Sequence, residues 1–231
     1  LEGTTELEVY AKVYDAWIQI VLPDGTPLAY TPVEVAGIGT LETDSDGTIY
    51  LKQLIEGTYH LTVTEWKGIT YTPAILDTSV EISASRTYTV EVTNAGRLVV
   101  KVVGGTKQGL PGAEVAVMKD SVVVARGVTG ADGTWSVMLP SATYTVTVDY
   151  KGFTGEKSAS VPTNGGEVVV ELSTDVFIEL FGVAMTFSQF ILWIVVAIII
   201  ILVLAIIIHE YHVWRRKRMP QLFGATRPTK P

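Results

Sequence analysis

Two versions of one stretch, GTYHLTVTEWKG (Gly57–Gly68) and ATYTVTVDYKG (Ala142–Gly152), decide the fold of this chain. In both, apolar and polar residues alternate with a period of two, which is the pattern of a β-strand that buries one face. Both then reach an aromatic residue followed by Lys-Gly, a pair typical of a tight turn. The sequence therefore predicts the same strand, leading into the same turn, at two places.

The repeat extends outward from these strands. Upstream, PLAYTPVEV (Pro27–Val35) matches GLPGAEVAV (Gly109–Val117), and TDSDGT (Thr43–Thr48) matches TGADGT (Thr129–Thr134), so the period is about 85 residues. Short strands separated by turns every 8–12 residues or so are typical of a small sandwich of two sheets. We predict an all-β fold class with two tandem immunoglobulin-like (prealbumin-like) β-sandwiches, over residues 1–95 and 96–174.

The order of these motifs, PL…VxV, then TDxDG, then GxYxLTV, resembles the carboxypeptidase regulatory-like family. It is also similar to the collagen-adhesin B-type repeats of Gram-positive surface proteins. The resemblance covers both copies and implies a transthyretin-like, immunoglobulin-like sandwich for each. Because such modules act as spacers, adhesin stalks and accessory domains, the resemblance implies a fold more than a function.

Collagen-adhesin B-type repeats often carry an internal isopeptide bond, which joins a first-strand Lys to a last-strand Asn beside an acid. The resemblance would place the Lys at Gln19 and Lys101 of the two copies, and the acid at Val63 and Val148. Only Lys101 has the required side chain, so neither copy carries the full trio.

The acceptor position of that bond also differs between the copies. Asn94 would serve in the first copy, whereas the second copy ends in Glu171-Leu172. A shifted set of Lys12, Glu65 and Asn94 remains an alternative for the first copy.

A long apolar run, FILWIVVAIIIILVLAIII (Phe190–Ile208), follows the repeats. As a helix it would extend about 28 Å, close to the thickness of the hydrocarbon layer of a bilayer. Thr186 and Gln189 have capping-box spacing, so we predict a C-terminal transmembrane α-helix over 186–214. Four cations follow at 215–218, and positive charge marks the cytoplasmic side. We therefore predict an extracellular N-terminal part and a basic cytoplasmic tail over 215–231.

The stretch before this helix, DVFIELFGVAM over 175–185, is apolar apart from Asp175 and Glu179. We predict an apolar juxtamembrane segment that lies along the outer interface of the bilayer as an amphipathic piece, or docks on another membrane or surface-layer subunit. The residues expected at a partner or membrane interface are Val176, Phe177, Phe181, Met185, Trp193, Tyr211, Trp214, Arg215, Arg216, Lys217 and Arg218.

Composition narrows the class of protein. Before the helix there are 11 Lys and Arg against 23 Asp and Glu, and this acidic balance argues against nucleic acid as a partner. The chain has no cysteine, so its stability comes without disulfides. Sparse Asn and Gln with abundant Ile, Val and Thr favour a prokaryotic, thermophile origin. Because the chain starts at Leu1, we expect a processed or truncated chain.

Asp44-Ser-Asp46-Gly47 is the one stretch with the appearance of a calcium loop. The second copy replaces Asp44 by Gly130 and keeps only Asp132-Gly133. Since the pair that persists is a turn pair, the motif is explained by hairpin geometry, and we predict no metal and no cofactor.

Trp66 and Tyr150 are the candidate ligand contacts, because each is an aromatic residue beside a Lys in both copies. Exposed, they would bind sugar or peptide; buried, they would cap the end of each sandwich. Recurrence in both copies favours the structural role.

Histidine offers little for catalysis. His60 is expected to face solvent on its strand, and no Ser/His/Asp set is visible in the sequence. His209 and His212 share a helix face and would ligate a metal or haem, or else belong to the interfacial belt. We predict no catalytic residues.

These patterns together predict a non-catalytic single-pass surface protein. It would be an accessory subunit of a membrane complex or an anchor of a cell-surface layer, with the lipid bilayer and other subunits as partners. A carbohydrate- or peptide-binding surface module is the alternative. A weaker alternative is the C-terminal part of a larger surface enzyme or adhesin.

Overall fold

The computed structural model describes residues 10–218, which form two compact units divided after Thr174. The strands of the first copy, which we call the first sandwich, are β1 (Val13–Val21), β2 (Pro32–Val35), β3 (Gly39–Glu42), β4 (Thr48–Ile55), β5 (Gly57–Val63), β6 (Glu65–Trp66), β7 (Ile69–Thr70), β8 (Leu76–Ile82) and β9 (Arg86–Glu91). The strands of the second sandwich are β10 (Ala95–Val103), β11 (Glu114–Lys119), β12 (Val122–Val128), β13 (Thr134–Pro140), β14 (Thr143–Tyr150), β15 (Phe153–Ser160) and β16 (Glu167–Ser173). The second unit contains β17 (Ile178–Leu180), β18 (Val183–Met185) and α1 (Phe187–Arg218).

The two sandwiches share one topology. In the first, a three-stranded sheet of order β4-β1-β9 accompanies a four-stranded sheet of order β3-β2-β5-β8. In the second, the orders are β13-β10-β16 and β12-β11-β14-β15. The first strand of each copy pairs antiparallel with one neighbour and parallel with the last strand of the same copy. The predicted fold class is confirmed, and each of these four sheets takes its strands from one copy only.

Period-two alternation positions the core. In β1, Ala16, Ile18 and Ile20 are fully buried, while Trp17 between them is exposed. In β10, Leu98, Val100 and Val102 occupy the equivalent positions and are also fully buried. Burying one such aliphatic side chain contributes about 1.5–3 kcal/mol. These residues therefore hold the central strand of each copy in register.

The repeated Asp-Gly pair forms a turn in both copies, but the turn is not a hairpin. It joins β3 to β4, and β12 to β13, which lie in different sheets. The Ile20 N–H donates to the Gly47 carbonyl at 2.9 Å, and the Val102 N–H donates to the Gly133 carbonyl at 2.8 Å. The prediction of a turn was right and the prediction of hairpin geometry was wrong, because the turn crosses between sheets and docks on the central strand.

Glycine is required in this turn for two reasons. Gly47 and Gly133 have φ values of 70° and 75°, which L-residues rarely adopt. A Cβ at either would also lie 2.7 Å from a backbone oxygen, that of Ile20 or Val102. The close approach of the turn to the central strand thus explains why Asp-Gly persists in both copies.

The second unit is a short hairpin followed by a long helix. β17 and β18 pair antiparallel, and Phe181 and Gly182 turn between them with φ values of 53° and 81°. The predicted amphipathic segment over 175–185 is therefore a β-hairpin, consistent with the two-residue turn that hairpins favour.

The helix begins as its capping residues predict. The Thr186 N–H donates to Gln189 Oε1 at 3.0 Å, and the Gln189 N–H donates to Thr186 Oγ1 at 3.3 Å. Phe187–Arg216 contains an apolar stretch that is long enough to span a membrane. The predicted transmembrane helix is present as an apolar helix, whereas most of the predicted tail, 219–231, lies outside the described residues.

Candidate functional site: the joint between the two sandwiches

The connection between the two sandwiches is held by hydrogen bonds from the first sandwich. The Val92 N–H donates to the Val21 carbonyl at 2.9 Å, which ties the connection to the end of β1. The Asn94 side chain donates from Nδ2 to the Ala74 carbonyl at 2.7 Å. The first sandwich thus holds both the start and the middle of the connection.

The second sandwich holds the same segment from the other side. The Ser141 N–H donates to the Asn94 carbonyl at 2.9 Å, and the Asn164 N–H donates to the Thr93 carbonyl at 2.8 Å. Gly96 approaches the loop between β15 and β16 so closely that a Cβ would lie 2.4 Å from the Pro162 carbonyl oxygen. Because both sandwiches bond to it, this segment is a fixed joint and not a loose linker of the kind that usually separates domains.

The Lys-Gly turn between β6 and β7 makes a second contact across the joint. Lys67, at a φ of 53°, directs its Nζ to the Val124 carbonyl of β12 at 2.5 Å. Partial burial of the ammonium lowers the pKa of Lys67 below its ordinary value. The turn that recurs in both copies therefore serves, in the first copy, to join the two sandwiches.

Two tyrosines form the buried centre of the joint. Tyr71 of the first sandwich and Tyr144 of β14 are 2% and 1% exposed. The Tyr144 hydroxyl donates to the Pro140 carbonyl at 2.6 Å, while the buried Tyr71 hydroxyl has no partner within hydrogen-bonding distance among residues 10–218. Lys119, whose Nζ lies 5.5 Å from the centre of the Tyr71 ring, covers this ring from the second sandwich.

The titration of these tyrosines reflects their burial. Burial raises the pKa of Tyr144 far above its ordinary range, and the neighbouring Tyr71 hydroxyl raises it further. Burial also raises the pKa of Tyr71, although its contact with Tyr144 acts in the opposite direction. Sequence reasoning missed Tyr71 entirely, since a lone Tyr after a short strand carries no signal of a contact with residue 144.

The two candidate ligand contacts are buried. Trp66 and Tyr150 are 7% and 4% exposed, and Lys67 Nζ and Lys151 Nζ lie 4.6 Å and 5.5 Å from the centres of their rings. A sugar or peptide needs an exposed ring to stack on, so the structure does not support a ligand surface at Trp66 and Tyr150. Their burial favours the structural role instead.

The positions of a possible isopeptide bond hold other chemistry. Lys101 of β10 pairs in register with Glu171 of β16, and their charged groups lie 3.9 Å apart on the surface. Lys107 Nζ also reaches Glu171, at 2.8 Å. A salt bridge between exposed side chains therefore occupies the place of the Lys and acceptor pair in the second copy.

The shifted set in the first copy is not assembled. The Asn94 amide donates to Ala74, and Lys12 and Glu65 form no ion pair in the described part of the chain.

His60 is exposed, as its strand position predicts, but it has two polar neighbours that sequence reasoning missed. His60 Nε2 lies 2.8 Å from Asp77 Oδ1, and His60 Nδ1 lies 3.1 Å from Ser79 Oγ. The antiparallel register of β5 and β8 brings the three together. They lie on an open strand surface with all three side chains in solvent, which is the setting of a cross-strand polar pair.

The acidic turns use their carboxylates locally. Asp44 Oδ1 accepts hydrogen bonds from the N–H groups of Asp46 and Thr48, at 2.9 Å and 2.8 Å. Asp132 Oδ1 accepts hydrogen bonds from the Thr134 hydroxyl at 2.8 Å and from the Thr134 N–H at 3.0 Å, and these bonds, the hydroxyl's first, lower the pKa of the Asp132 carboxyl. Within residues 10–218 no group of three or more candidate metal ligands is assembled, His209 and His212 included.

The residues of the hairpin that were predicted at a partner or membrane interface differ in their exposure to solvent. Phe181, at the hairpin tip, is 97% exposed, whereas Val176 is fully buried and Phe177 and Met185 are half-buried. Within the second unit, the Phe177 ring packs against Phe187 and Phe190 of the helix, with ring centres 5.0 Å and 5.5 Å apart.

The predicted interfacial residues of the helix, Trp193, Tyr211, Trp214, Arg215 and Arg216, are exposed. The side chains of Lys217 and Arg218 lie outside the described residues.

The comparisons with known proteins bear on the second sandwich most directly. Residues 97–174 match the carboxypeptidase regulatory-like domain. The resemblance inferred from the motifs is thereby confirmed for the second copy, and the first copy shares its topology. No curated protein matches the chain.

Solved structures that resemble the chain include two pilins. The TIE protein of Bacillus anthracis is 19% identical, with a TM-score of 0.33; the match covers 70% of this chain and 34% of that protein. The minor pilin of Streptococcus agalactiae is 14% identical, with a TM-score of 0.33, over 71% and 98% of the two chains. The shaft pilin SpaA of Lactobacillus rhamnosus is 9% identical, with a TM-score of 0.33, over 73% and 100%. At such low identities and TM-scores, we draw no functional conclusion from them.

Proposed function

We propose that this chain is a non-catalytic, single-pass surface protein with a structural role. In this proposal it is an accessory subunit of a membrane complex or an anchor of a cell-surface layer. The observation that carries it is the joint, where both sandwiches bond to residues 92–95 and where the buried hydroxyls of Tyr71 and Tyr144 interact. A spacer must keep its modules in one fixed arrangement, and a fixed joint serves this purpose.

The membrane orientation in this proposal rests on charge. Four cations follow the apolar span at 215–218, which favours a cytoplasmic C-terminus and extracellular sandwiches. The acidic balance before the helix is compatible with an outer location.

The hairpin of β17 and β18 is the partner surface in this proposal. Its tip exposes Leu180, Phe181 and Val183, three apolar side chains that a protein needing only a tether would not require. A neighbouring membrane subunit would bury them.

Photo-cross-linking in native membranes tests this role. A photoreactive phenylalanine at Phe181 is expected to cross-link to another membrane protein, which mass spectrometry then identifies. The matched control places the same group at Tyr30, an exposed aromatic position of the first sandwich that should give no such product. Lipid adducts alone at Phe181, together with isolation of the chain as a monomer from mild detergent, would contradict an accessory subunit.

A further inference from the structure

An exposed pair of stacked aromatic rings lies on the outer face of the sheet β4-β1-β9. Trp17 and Tyr50 are opposite each other in the pairing of β1 with β4, with ring centres 4.9 Å apart and planes 14° from parallel. Trp17 is 38% exposed and Tyr50 is 43% exposed. The Tyr50 hydroxyl donates to Asp15 Oδ2 at 3.1 Å, which fixes the orientation of this ring.

The fold does not require these rings. In the repeat, Val99 of the second sandwich occupies the position of Trp17, and Ser136 occupies that of Tyr50. Val99 and Ser136 are also paired across β10 and β13. Because the same sheet forms without aromatic residues in the second copy, the pair in the first copy is an addition to the scaffold.

A shallow cleft of mixed polar and apolar lining adjoins Trp17. Its volume is about 340 Å³, at the low end for ligand pockets, and Trp17, Gln19, Asp44, Asp46 and Thr48 contribute to its lining. Gln19 Nε2 donates to the Asp46 carbonyl at 3.2 Å, and within residues 10–218 no group donates to Gln19 Oε1. Among the residues that the structure describes, none donates a hydrogen bond to the Asp46 carboxylate.

We propose that this cleft binds a neutral glycan. The apolar C–H face of a pyranose ring stacks on an exposed aromatic ring, and its hydroxyl groups hydrogen-bond to carboxylates and amides at the ring's edge. Trp17 supplies the stacking surface, while Asp46 and Gln19 supply acceptors beside it. Two carboxylates in the cleft select against acidic sugars, because like charges repel.

Binding to defined oligosaccharides tests the proposal on the full chain. The chain is placed in lipid nanodiscs, since the headgroups of maltoside and glucoside detergents are sugars and would compete. Isothermal titration calorimetry then measures binding of maltohexaose, mannohexaose and chitohexaose. At least one is expected to bind, and Trp17→Val, which installs the residue of the second copy, should weaken it about tenfold, as expected for losing one aromatic stacking contact.

Two further variants keep the test specific. Asp46→Asn should also weaken binding while retaining a turn-forming residue, and Tyr30→Asn, which removes an exposed aromatic outside the cleft, should leave it unchanged. Circular dichroism verifies that each variant is folded. The proposal is overturned if none of the three glycans binds the natural chain. It is also overturned if the Trp17→Val variant binds the glycan as tightly as the natural chain does. Trp17-dependent binding of a proline-rich peptide in place of any glycan would also overturn it.

Discussion

The two sandwiches share a strand topology and its repeated residues, and they differ in the residues that surround them. In both, the tyrosine of the repeated strand bonds to the carbonyl four residues earlier: Tyr59 to Ile55 at 2.9 Å, and Tyr144 to Pro140 at 2.6 Å. Tyr59 is half-buried, whereas Tyr144 is buried against Tyr71 of the other sandwich. Shared residues thus specify the fold, and the neighbours of those residues specify the assembly.

The outer surfaces show the same division. The buried positions of β1 and β10 are aliphatic in both copies, but the outward positions carry Trp17 and Gln19 in one and Val99 and Lys101 in the other. Differences between the copies therefore point to roles beyond folding.

Truncating the tyrosine that both copies share should give the largest difference in stability between the two copies. Tyr144→Ala is expected to lower the free energy of unfolding by about 3–5 kcal/mol, because it empties a fully buried site in the joint. Tyr59→Ala should cost roughly 1–2 kcal/mol, because its ring is half-buried. Chemical unfolding of the full chain in nanodiscs measures both. Equal losses would show that Tyr144 gains nothing from the joint.

Substituting the turn glycine should, in contrast, affect the copies equally. Gly47→Ala and Gly133→Ala are each expected to cost roughly 3 kcal/mol, from the left-handed backbone and from a Cβ pressed against a backbone oxygen. Gly25 and Gly112 also have positive φ but open space around them, so Ala there should cost about 1 kcal/mol. If the losses of stability for Gly47→Ala and Gly133→Ala differ by more than about 1 kcal/mol, the turn is not equivalent in the two copies.

Alkaline pH should destabilise the joint. The pKa values of Tyr71 and Tyr144 are raised in the folded chain, so below about pH 10 their stabilisation is fully present. Above that pH the tyrosines ionise in the unfolded chain first. Each tyrosine that stays neutral in the folded chain therefore lowers the free energy of unfolding by about 1.4 kcal/mol at pH 11. Unfolding curves at pH 8 and pH 11 measure the loss, and Tyr144→Phe should reduce it. An identical pH dependence in that variant would remove Tyr144 as its source.

Removing the side-chain bond of the connection should have a smaller effect. Asn94→Ala is expected to cost about 1–2 kcal/mol, because the Ala74 carbonyl loses its donor in a partly buried place. Asn164→Gly is the matched control: Asn164 contributes its backbone N–H, which Gly keeps along with the φ of 55°. Thermal unfolding compares the two, and a larger loss for the control would contradict the role given to the Asn94 amide.

The smallest effect is expected at Tyr71. Its buried hydroxyl has no partner within hydrogen-bonding distance in the described part of the chain, so Tyr71→Phe should change stability by less than about 0.5 kcal/mol, or raise it slightly. The same unfolding assay applies. A loss above about 1 kcal/mol would show that this hydroxyl makes a bond that the joint needs.

Local pattern was sufficient for the strands and for the helix start. Alternation predicted the buried face of β5 and β14, and Thr186 with Gln189 predicted the start of α1 to within one residue. It was insufficient for the Asp-Gly turn, because the same local backbone serves a hairpin and a crossing between sheets.

The joint and the aromatic pair could not be predicted from local pattern at all. Lys67 meets Val124 across 57 residues of chain, and Trp17 meets Tyr50 through a strand pairing that only the fold defines. Nothing near either residue in the sequence specifies its partner.

A distance measurement across the joint tests the central claim, that the two sandwiches form one fixed unit. Because the chain has no cysteine, spin labels can be attached at Glu81→Cys on β8 and Ser158→Cys on β15, both exposed. Double electron–electron resonance on the full chain in nanodiscs should give one narrow distance distribution. Adding Lys67→Ala and Asn94→Ala should broaden it. A broad distribution in the natural background would show that the sandwiches move independently and would contradict the account.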